Sequence, residues 1–178
     1  HPYTIKLIAS RPERAVEPVP AAAPILAAAR AVSVDFVSAK GWFGKDVFRA
    51  VRDTTLELKR GETLGIVGES GSGKTTLGLA ILRLISSRGP IIFLGKSIAG
   101  LKFKEMLPIR HNMQIVFHDP YGSLSPRMSV SDVVEEGLWV HHPNMPDDEH
   151  EDRVVRALLD VGLDPETRFR YPHEFSGG

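Results

Sequence analysis

Apolar and polar positions alternate along the first part of the chain, and this period of two predicts strands. The runs AVSVDFV and TTLEL both alternate, so an antiparallel β portion is predicted between residues 31 and 67, with KRGE as a turn. TLGIVG, IIFLG and QIVFH are short apolar runs that predict further strands. From Thr75 the apolar residues recur at helical spacing, and SSRGP predicts the end of that helix.

After Pro126 the apolar residues recur at helical spacing in two longer stretches. SVSDVVEEGLWVHH and DDEHEDRVVRALLDVGL predict two amphipathic helices. Ser129 with Asp132 has the spacing of a capping box for the first helix, and Gly162 is the predicted stop of the second. We therefore expect an α/β core, with a parallel-centred sheet, that carries a helical subdomain over residues 127–170.

Three side chains in the first of these helices have ordinary structural interpretations. His141 and His142 are adjacent, so they point apart on a helix, and no third ligand stands at metal-binding spacing. We interpret both as solvated surface. Trp139 lies at helical spacing from Glu135 and is interpreted as a packing residue.

Residues 10–30 concentrate Pro and Ala with little periodicity, which predicts an extended linker. The compact domain is therefore expected to occupy residues 31–178, and residues 1–30 are expected to pack poorly. The chain does not begin with Met, and SGG at its end is no stop signal for a helix or a strand. We expect the sequence to be a fragment at both ends.

The amino-acid composition excludes several classes of protein and several kinds of chemistry. Of the 178 residues, 42% are apolar and 25% are charged, as in an ordinary globular domain. The 22 Lys and Arg residues balance the 22 Asp and Glu residues without a dense basic run, so nucleic acid is disfavoured as the main partner. The chain has no Cys, which removes a disulfide framework and thiolate chemistry. No apolar run approaches the ~20 residues that span a bilayer.

The segment GESGSGKTT stands between a predicted strand and a predicted helix. It satisfies the pattern G-x-x-x-x-G-K-[ST], in which glycines let backbone N–H groups turn inward around phosphates at a helix N-terminus. Lys74 supplies an ammonium for the β- and γ-phosphates, and the Thr75 hydroxyl can bind Mg²⁺. The predicted phosphate-binding residues are Gly68, Glu69, Ser70, Gly71, Ser72, Gly73, Lys74, Thr75 and Thr76.

Three segments together resemble a known family. GETLGIVGESGSGKTT, QIVFHDPYGSLSPRMSV and RYPHEFSGG, in this order, are similar to the ATP-binding subunits of ABC importers, in particular the oligopeptide and dipeptide group. The opening HPYT resembles the tail that follows a nucleotide-binding domain in that group. The resemblance implies a P-loop NTPase fold of ABC type, truncated at the signature motif. It also implies a tandem parent, with the tail of one domain and a linker at 1–30 and a partial second domain at 31–178.

The resemblance also implies roles for residues outside the phosphate loop. His118 stands where the family has a Gln that contacts Mg²⁺, and imidazole is a softer ligand than an amide oxygen. An aromatic residue upstream of the loop stacks on adenine in the family, and Phe43, Trp42 or Phe48 could serve. The start of the signature motif, which would act on the opposite domain, matches Ser176, Gly177 and Gly178.

The function implied by the resemblance is ATP binding and hydrolysis, with Mg²⁺, to power peptide import. The implied partners are a second nucleotide-binding domain on the same parent chain, a transmembrane permease and, indirectly, a solute-binding protein. The location is peripheral, on the cytoplasmic face of the cell membrane. In the family the catalytic carboxylates follow this region, so we expect the fragment alone to bind nucleotide without turnover.

Two alternatives stay open. A degenerate, non-hydrolysing nucleotide domain is supported by His118. A soluble ABC-type ATPase without a permease would be expected to carry Arg- and Lys-rich insertions that face nucleic acid, and the sequence has none.

Overall fold

The computed structural model divides the chain into two compact units, residues 1–101 and residues 102–178. The structure describes Thr4 and residues 18–40, 44–117 and 120–175. Six of the predicted site residues lie outside the described residues: Trp42, Phe43, His118, Ser176, Gly177 and Gly178. Within the described part of the chain, no helix is long and apolar enough to cross a membrane.

From residue 18 onward, the described residues of the first unit form a four-stranded sheet and one helix. Its elements are β1 (Ile25–Lys40), β2 (Gly44–Lys59), α1 (Lys74–Ile81), β3 (Ile91–Phe93) and β4 (Lys96–Ser97). The strand order is β2-β1-β3-β4, and each neighbouring pair is antiparallel. The predicted antiparallel β portion is therefore confirmed.

The core of this unit lies between the sheet and α1. From the sheet, Val32, Val34 and Ile91 are at most 1% exposed, and from the helix Leu77 and Ala80 are buried. Burying one large aliphatic side chain stabilises a fold by roughly 1.5–3 kcal/mol. Burial does not follow the alternation of AVSVDFV strictly, because Ser33 is buried between the two valines where the strand register shifts, and Phe36 is 47% exposed.

The β1–β2 hairpin is held in register by backbone pairing and by charges. Asp35 accepts hydrogen bonds from Arg49 at 2.8 Å and from Arg88 at 2.5 Å. The hydrogen bond from Arg49 is the largest cause that lowers the pKa of Asp35, although desolvation opposes it. Arg88, which follows α1 in the chain, is thereby tied to the hairpin.

Two predicted boundaries in this unit are wrong. Strand β1 begins at Ile25, inside the predicted linker, and Ala27, Ala28 and Ala29 are buried in the core. The compact domain therefore begins before Ala31, because the three alanines pair with β2 on one side and with β3 on the other, which outweighs the weak strand propensity of Ala.

Helix α1 is also shorter than its apolar period suggests. It ends at Ile81, and Arg83 adopts a left-handed backbone with φ of 56°. The N–H of Leu84 then donates to the carbonyl of Leu79 at 2.9 Å, which closes the helix end. In the sequence, apolar residues keep their helical spacing beyond Ile81, but the helix itself ends there.

Two predicted strands are not formed. TLGIVG and residues 114–117 of QIVFH do not form strands, and Val67 and Val116 are 96% and 95% exposed. A strand needs a hydrogen-bonded neighbour, and neither segment has a strand partner among the described residues. The expected parallel-centred sheet is therefore not present in the described part of the chain.

The second unit is helical, as predicted for its later part. Its elements are α2 (Phe103–Arg110), α3 (Pro120–Ser123), α4 (Val130–His141), α5 (Asp147–Asp160) and two 3₁₀ turns (Pro165–Phe169 and Pro172–Glu174). The predicted capping box is present: the N–H of Asp132 donates to Ser129 Oγ at 3.2 Å, and Ser129 N–H donates to the Asp132 carboxylate at 2.8 Å. Gly162, with φ of 74°, follows the end of α5 as predicted.

Helices α4 and α5 pack through an aromatic contact. The ring of Trp139 stacks on the buried ring of His150 with centroids 4.1 Å apart, so the packing role of Trp139 is confirmed. The interpretation of His141 and His142 as solvated surface holds only in part. Both are only partly exposed, and their rings contact His111 with centroids 5.4 Å and 5.9 Å apart.

Candidate functional site: a glycine-rich loop beside an aromatic hairpin

Glycine is required in the loop before α1 because the backbone of β2 passes beside it. Gly71 and Gly73 have φ of 81° and 90°, a region that L-residues rarely adopt. A Cβ atom on Gly73 would lie 2.4 Å from the carbonyl oxygen of Ala50. The glycine that the phosphate-loop pattern requires at Gly73 is therefore also required by the neighbouring backbone of β2.

Lys74 folds back over the loop that precedes it. Its ammonium donates to the carbonyl oxygen of Gly68 at 2.8 Å and to that of Glu69 at 2.6 Å. The Ser72 hydroxyl oxygen lies 3.3 Å away. All three of these oxygens are neutral, so no carboxylate neutralises the positive charge of Lys74 in these contacts.

The start of α1 adds partial positive charge to the same place. Gly73 is the N-cap residue, no side chain caps the helix, and its first turn has no acidic residue. The first N–H groups of a helix have no acceptor within the helix, and the helix dipole is positive at this end. Loop and helix together therefore form a site suited to an anion such as phosphate.

A cleft of about 550 Å³, which we call the hairpin cleft, lies between the loop and the β1–β2 hairpin. It is lined by Phe36, Phe48, Ala50, Ser70, Gly71, Gly73, Lys74, Thr75 and Thr76. Its size is within the 300–1,000 Å³ typical of ligand pockets. Six of the nine predicted phosphate-binding residues line it, together with one of the three predicted adenine contacts, Phe48.

The remaining predicted loop residues contribute differently. Gly68 and Ser72 line a second cleft of about 520 Å³ on the loop, together with Arg49, Arg52 and other residues of β2. The main chain of Glu69 accepts from Lys74. The hairpin cleft is the site that combines aromatic rings with the start of α1.

Phe36 lines the hairpin cleft, although no sequence motif indicated it as a site residue. Phe36 of β1 pairs directly with Phe48 of β2, and Lys40 and Gly44 form the last pair of the same ladder. Counting outward from the pair Lys40 and Gly44 brings the two phenylalanines opposite each other. The missing signal was therefore the hairpin register, since the two residues are twelve positions apart in the chain.

No carboxylate lines the hairpin cleft among the described residues. In the same part of the chain, no three His, Cys, Asp or Glu side chains are grouped so that they could hold a metal ion. Thr75 brings a hydroxyl to the cleft, at the position of a Mg²⁺-binding hydroxyl in phosphate loops. Thr75 can therefore offer an oxygen ligand to a metal that arrives with phosphates.

The ABC transporter family model matches residues 51–178, so the chain belongs to the ABC transporter family. The resemblance found in the sequence is thereby confirmed. The matched residues include the whole glycine-rich loop and α1.

Relatives and solved structures agree with this assignment. The chain is 48% identical over its whole length to the peptidoglycan transport ATP-binding protein YejF of Agrobacterium fabrum, and covers 33% of that protein. It is 43% identical to the oligopeptide transport ATP-binding protein OppF of Salmonella typhimurium, covering 83% of this chain and 45% of OppF. The fold is similar to that of the dimeric ATP-binding cassette MJ0796 solved with ADP and Pi, with a TM-score of 0.70 and 24% identity over 85% of this chain and 64% of that one.

The chain thus spans 33% of the length of YejF and 45% of the length of OppF.

Proposed function

We propose that the chain binds Mg·ATP in the hairpin cleft, with the phosphates on residues 68–76. The observation that carries the proposal is the Lys74 ammonium beside the uncapped start of α1, in a cleft that also contains aromatic rings. A triphosphate offers several anionic oxygens to these donors, and charge-assisted hydrogen bonds are about twice as strong as neutral ones. Because the Lys74 side chain bends back to main-chain carbonyls of the loop, we expect that its ammonium can also turn toward a phosphate bound there.

The adenine base would stack on Phe48. This side chain is 66% exposed on the cleft side of β2, and an exposed aromatic ring gains more from stacking than one already packed. Phe43 and Trp42, the other two predicted contacts, lie outside the described residues and stay predictions.

Mg²⁺ would be held by the Thr75 hydroxyl and by the phosphates, where it neutralises charge between the β- and γ-phosphates. His118, the second predicted ligand, lies outside the described residues. If its imidazole belongs to the metal site, His118→Gln should lower the Mg²⁺ concentration needed for tight ATP binding, because an amide oxygen suits Mg²⁺ better. An unchanged Mg²⁺ dependence in a binding titration would exclude His118 from that site.

We further propose that the chain alone binds ATP without hydrolysing it. The lining of the hairpin cleft supports this, because it contains no Asp or Glu among the described residues that could accept a proton from water. Phosphate release by the purified chain above the spontaneous rate would contradict it.

For the complete protein we propose a role in powering import of peptides or related solutes through a permease. The support is the names of relatives: oligopeptide transport ATP-binding protein for OppF and peptidoglycan transport ATP-binding protein for YejF. The partners would be a second nucleotide-binding domain, on which Ser176, Gly177 and Gly178 act, a transmembrane permease and, indirectly, a solute-binding protein. The protein would then work at the cytoplasmic face of the membrane.

The domain organisation is part of the same proposal. YejF matches the chain over its full length, including residues 1–30, and is three times as long. This supports a parent with a tail, a linker and a second nucleotide-binding domain. A degenerate, non-hydrolysing domain is the second candidate, and it is favoured by the same lack of lining carboxylates.

The binding proposal is tested by calorimetric titration of the chain with Mg·ATP. Lys74→Ala should weaken binding at least tenfold, because hydrogen bonds to charged groups contribute about 1.5–3 kcal/mol. Lys96→Ala, which removes an exposed ammonium from β4, is the matched control and should bind like the wild type. Equal affinity of the wild type and Lys74→Ala, with both folded, would refute the proposed site.

A further inference from the structure

Three imidazole rings are in contact in the second unit, at the place where two helices end. His111 follows the last residue of α2, and His141 and His142 are the last residue and the C-cap of α4. The ring of His111 meets the other two rings edge to face, with interplanar angles of 63° and 87°. We call these three residues the histidine cluster. It joins the C-terminal end of α2 to that of α4.

The rings of the cluster have no other polar partner in the described part of the chain, where none of them takes part in a hydrogen bond or an ion pair. His111 is exposed and the other two residues are half-buried, so water can reach the cluster and exchange protons with it. Histidine is the side chain that gains a charge between about pH 8 and about pH 5. The charge of the cluster can therefore change in this range.

The charged groups on the neighbouring elements do not pair with the cluster. Arg110 directly precedes it on α2, while Glu105 and Glu136 lie more than one helical turn before it on α2 and α4. The first turn of α5, which packs on α4, contributes Asp147, Asp148 and Glu149. Glu149 is paired with Arg153. Because no carboxylate pairs with the cluster among the described residues, its protons depend mainly on the three rings and on the helix ends.

Two effects of opposite sign act on these protons. Both helices end at the cluster, and the negative end of a helix dipole favours one positive charge there. A second proton would place two like charges 5.4 Å or 5.9 Å apart, which is unfavourable. The rings in contact therefore hold fewer protons than the same rings held apart. Since the state that binds more protons is stabilised as the pH falls, acid favours separation of the rings.

We propose that the histidine cluster is a pH-sensitive contact, which holds the ends of α2 and α4 together at neutral pH and opens in mildly acidic solution. Three residues after α2 the chain enters QIVFH, so opening would release the start of the segment that contains His118. The inference does not depend on the proposed nucleotide site, and its test needs no nucleotide.

The test is an NMR titration of the histidine rings in the full chain, from about pH 8 to about pH 5. In His111→Asn the titration midpoints of His141 and His142 should rise by roughly half a pH unit or more, as Coulomb repulsion between unit charges 5.4 Å apart in water predicts. His141→Asn should raise the midpoint of His111 in the same way, because coupling between two sites is reciprocal.

His173→Asn is the matched control for these substitutions. His173 is an exposed histidine of the same unit, and its ring stacks on Tyr171 rather than on the cluster. Its replacement should leave all three midpoints of the cluster unchanged.

Opening of the contact is measured by amide hydrogen exchange, expressed as protection factors that correct for the effect of pH on exchange itself. Between neutral and mildly acidic solution, protection in the last turns of α2 and α4 should fall by about threefold to tenfold, because half a pH unit is about a threefold effect for each of the two ring contacts. In His111→Asn this protection should be low at both pH values.

Three results would overturn the inference. Unchanged midpoints in both Asn variants would show that the rings do not influence each other's protonation. Lower midpoints would show that the removed ring favours the proton on its neighbour. Higher midpoints without loss of protection in acid would show that the rings repel each other but that the contact does not open.

Discussion

Replacement of Gly73 by Ala tests how the glycine-rich loop and the β1–β2 hairpin fit together. Gly73 has φ of 90°, and a left-handed backbone costs an L-residue about 1–2 kcal/mol. The added Cβ would lie 2.4 Å from the carbonyl oxygen of Ala50, and because that atom belongs to the backbone, no rotamer change relieves the contact. Overpacking typically adds about 1–3 kcal/mol, so Gly73→Ala should lower the free energy of unfolding by roughly 2–5 kcal/mol.

Two other glycines provide matched controls for this substitution. Gly71 also has a positive φ, but a Cβ there meets nothing within 4 Å, so Gly71→Ala should cost only about 1–2 kcal/mol. Gly78 lies inside α1, also with nothing within 4 Å of its Cβ. Gly78→Ala should therefore raise the free energy of unfolding by about 0.5–1 kcal/mol.

Urea unfolding followed by circular dichroism gives the three free energies, and a nucleotide titration shows the effect on the site. We expect the stability order Gly78→Ala, wild type, Gly71→Ala, Gly73→Ala. If Gly73→Ala were as stable as Gly71→Ala, the close approach of β2 to the loop would be wrong. Nucleotide binding unaffected by Gly73→Ala would lead to the same conclusion.

Three further substitutions test other parts of the fold. Ser129→Ala removes the cap of α4 and should cost about 1 kcal/mol in urea unfolding. Hydrogen bonds from Ser129 lower the pKa of Asp132. The cap therefore stabilises the fold at pH values above the unfolded pKa of about 3.9, and this stabilisation is lost as the pH falls through the lowered pKa. The free energies of unfolding of the wild type and the variant should therefore become equal in acid. Leu94→Asn should raise the melting temperature, because Leu94 and Gly95 both have positive φ in the turn before β4, and Asn tolerates that conformation better than Leu. Asp35→Asn should lower the melting temperature slightly at neutral pH and not at pH 2. Arginine contacts lower the pKa of Asp35, and their stabilising effect disappears once the carboxylate is protonated. High salt should reduce the difference in melting temperature between the wild type and the variant.

Elements with a local signal were predictable from the sequence. The loop at 68–76 was found because its spacing is fixed by phosphate geometry, and the cap of α4 because Ser129 and Asp132 are three residues apart. In each case the physical cause acts between residues that are close along the chain.

Features set by distant residues could not be predicted. The strand at Ile25–Arg30 depends on pairing with β2 and β3, and the end of α1 depends on Arg83 adopting a backbone usually taken by glycine. Phe36 reaches the cleft only through its register with Phe48. The strand propensity of TLGIVG was evident, but a strand forms only where a neighbour pairs with it.

The central claim, that residues 68–76 bind the phosphates of a nucleotide, is tested most directly by amide hydrogen exchange with and without Mg·ATP. In the free chain the first turn of α1 has no capping side chain, so its amides should exchange quickly. Saturating Mg·ATP should slow exchange in residues 68–76 and, more weakly, around Phe48, with no comparable change in α4 or α5. Unchanged exchange in the loop, or protection confined to the second unit, would contradict the account.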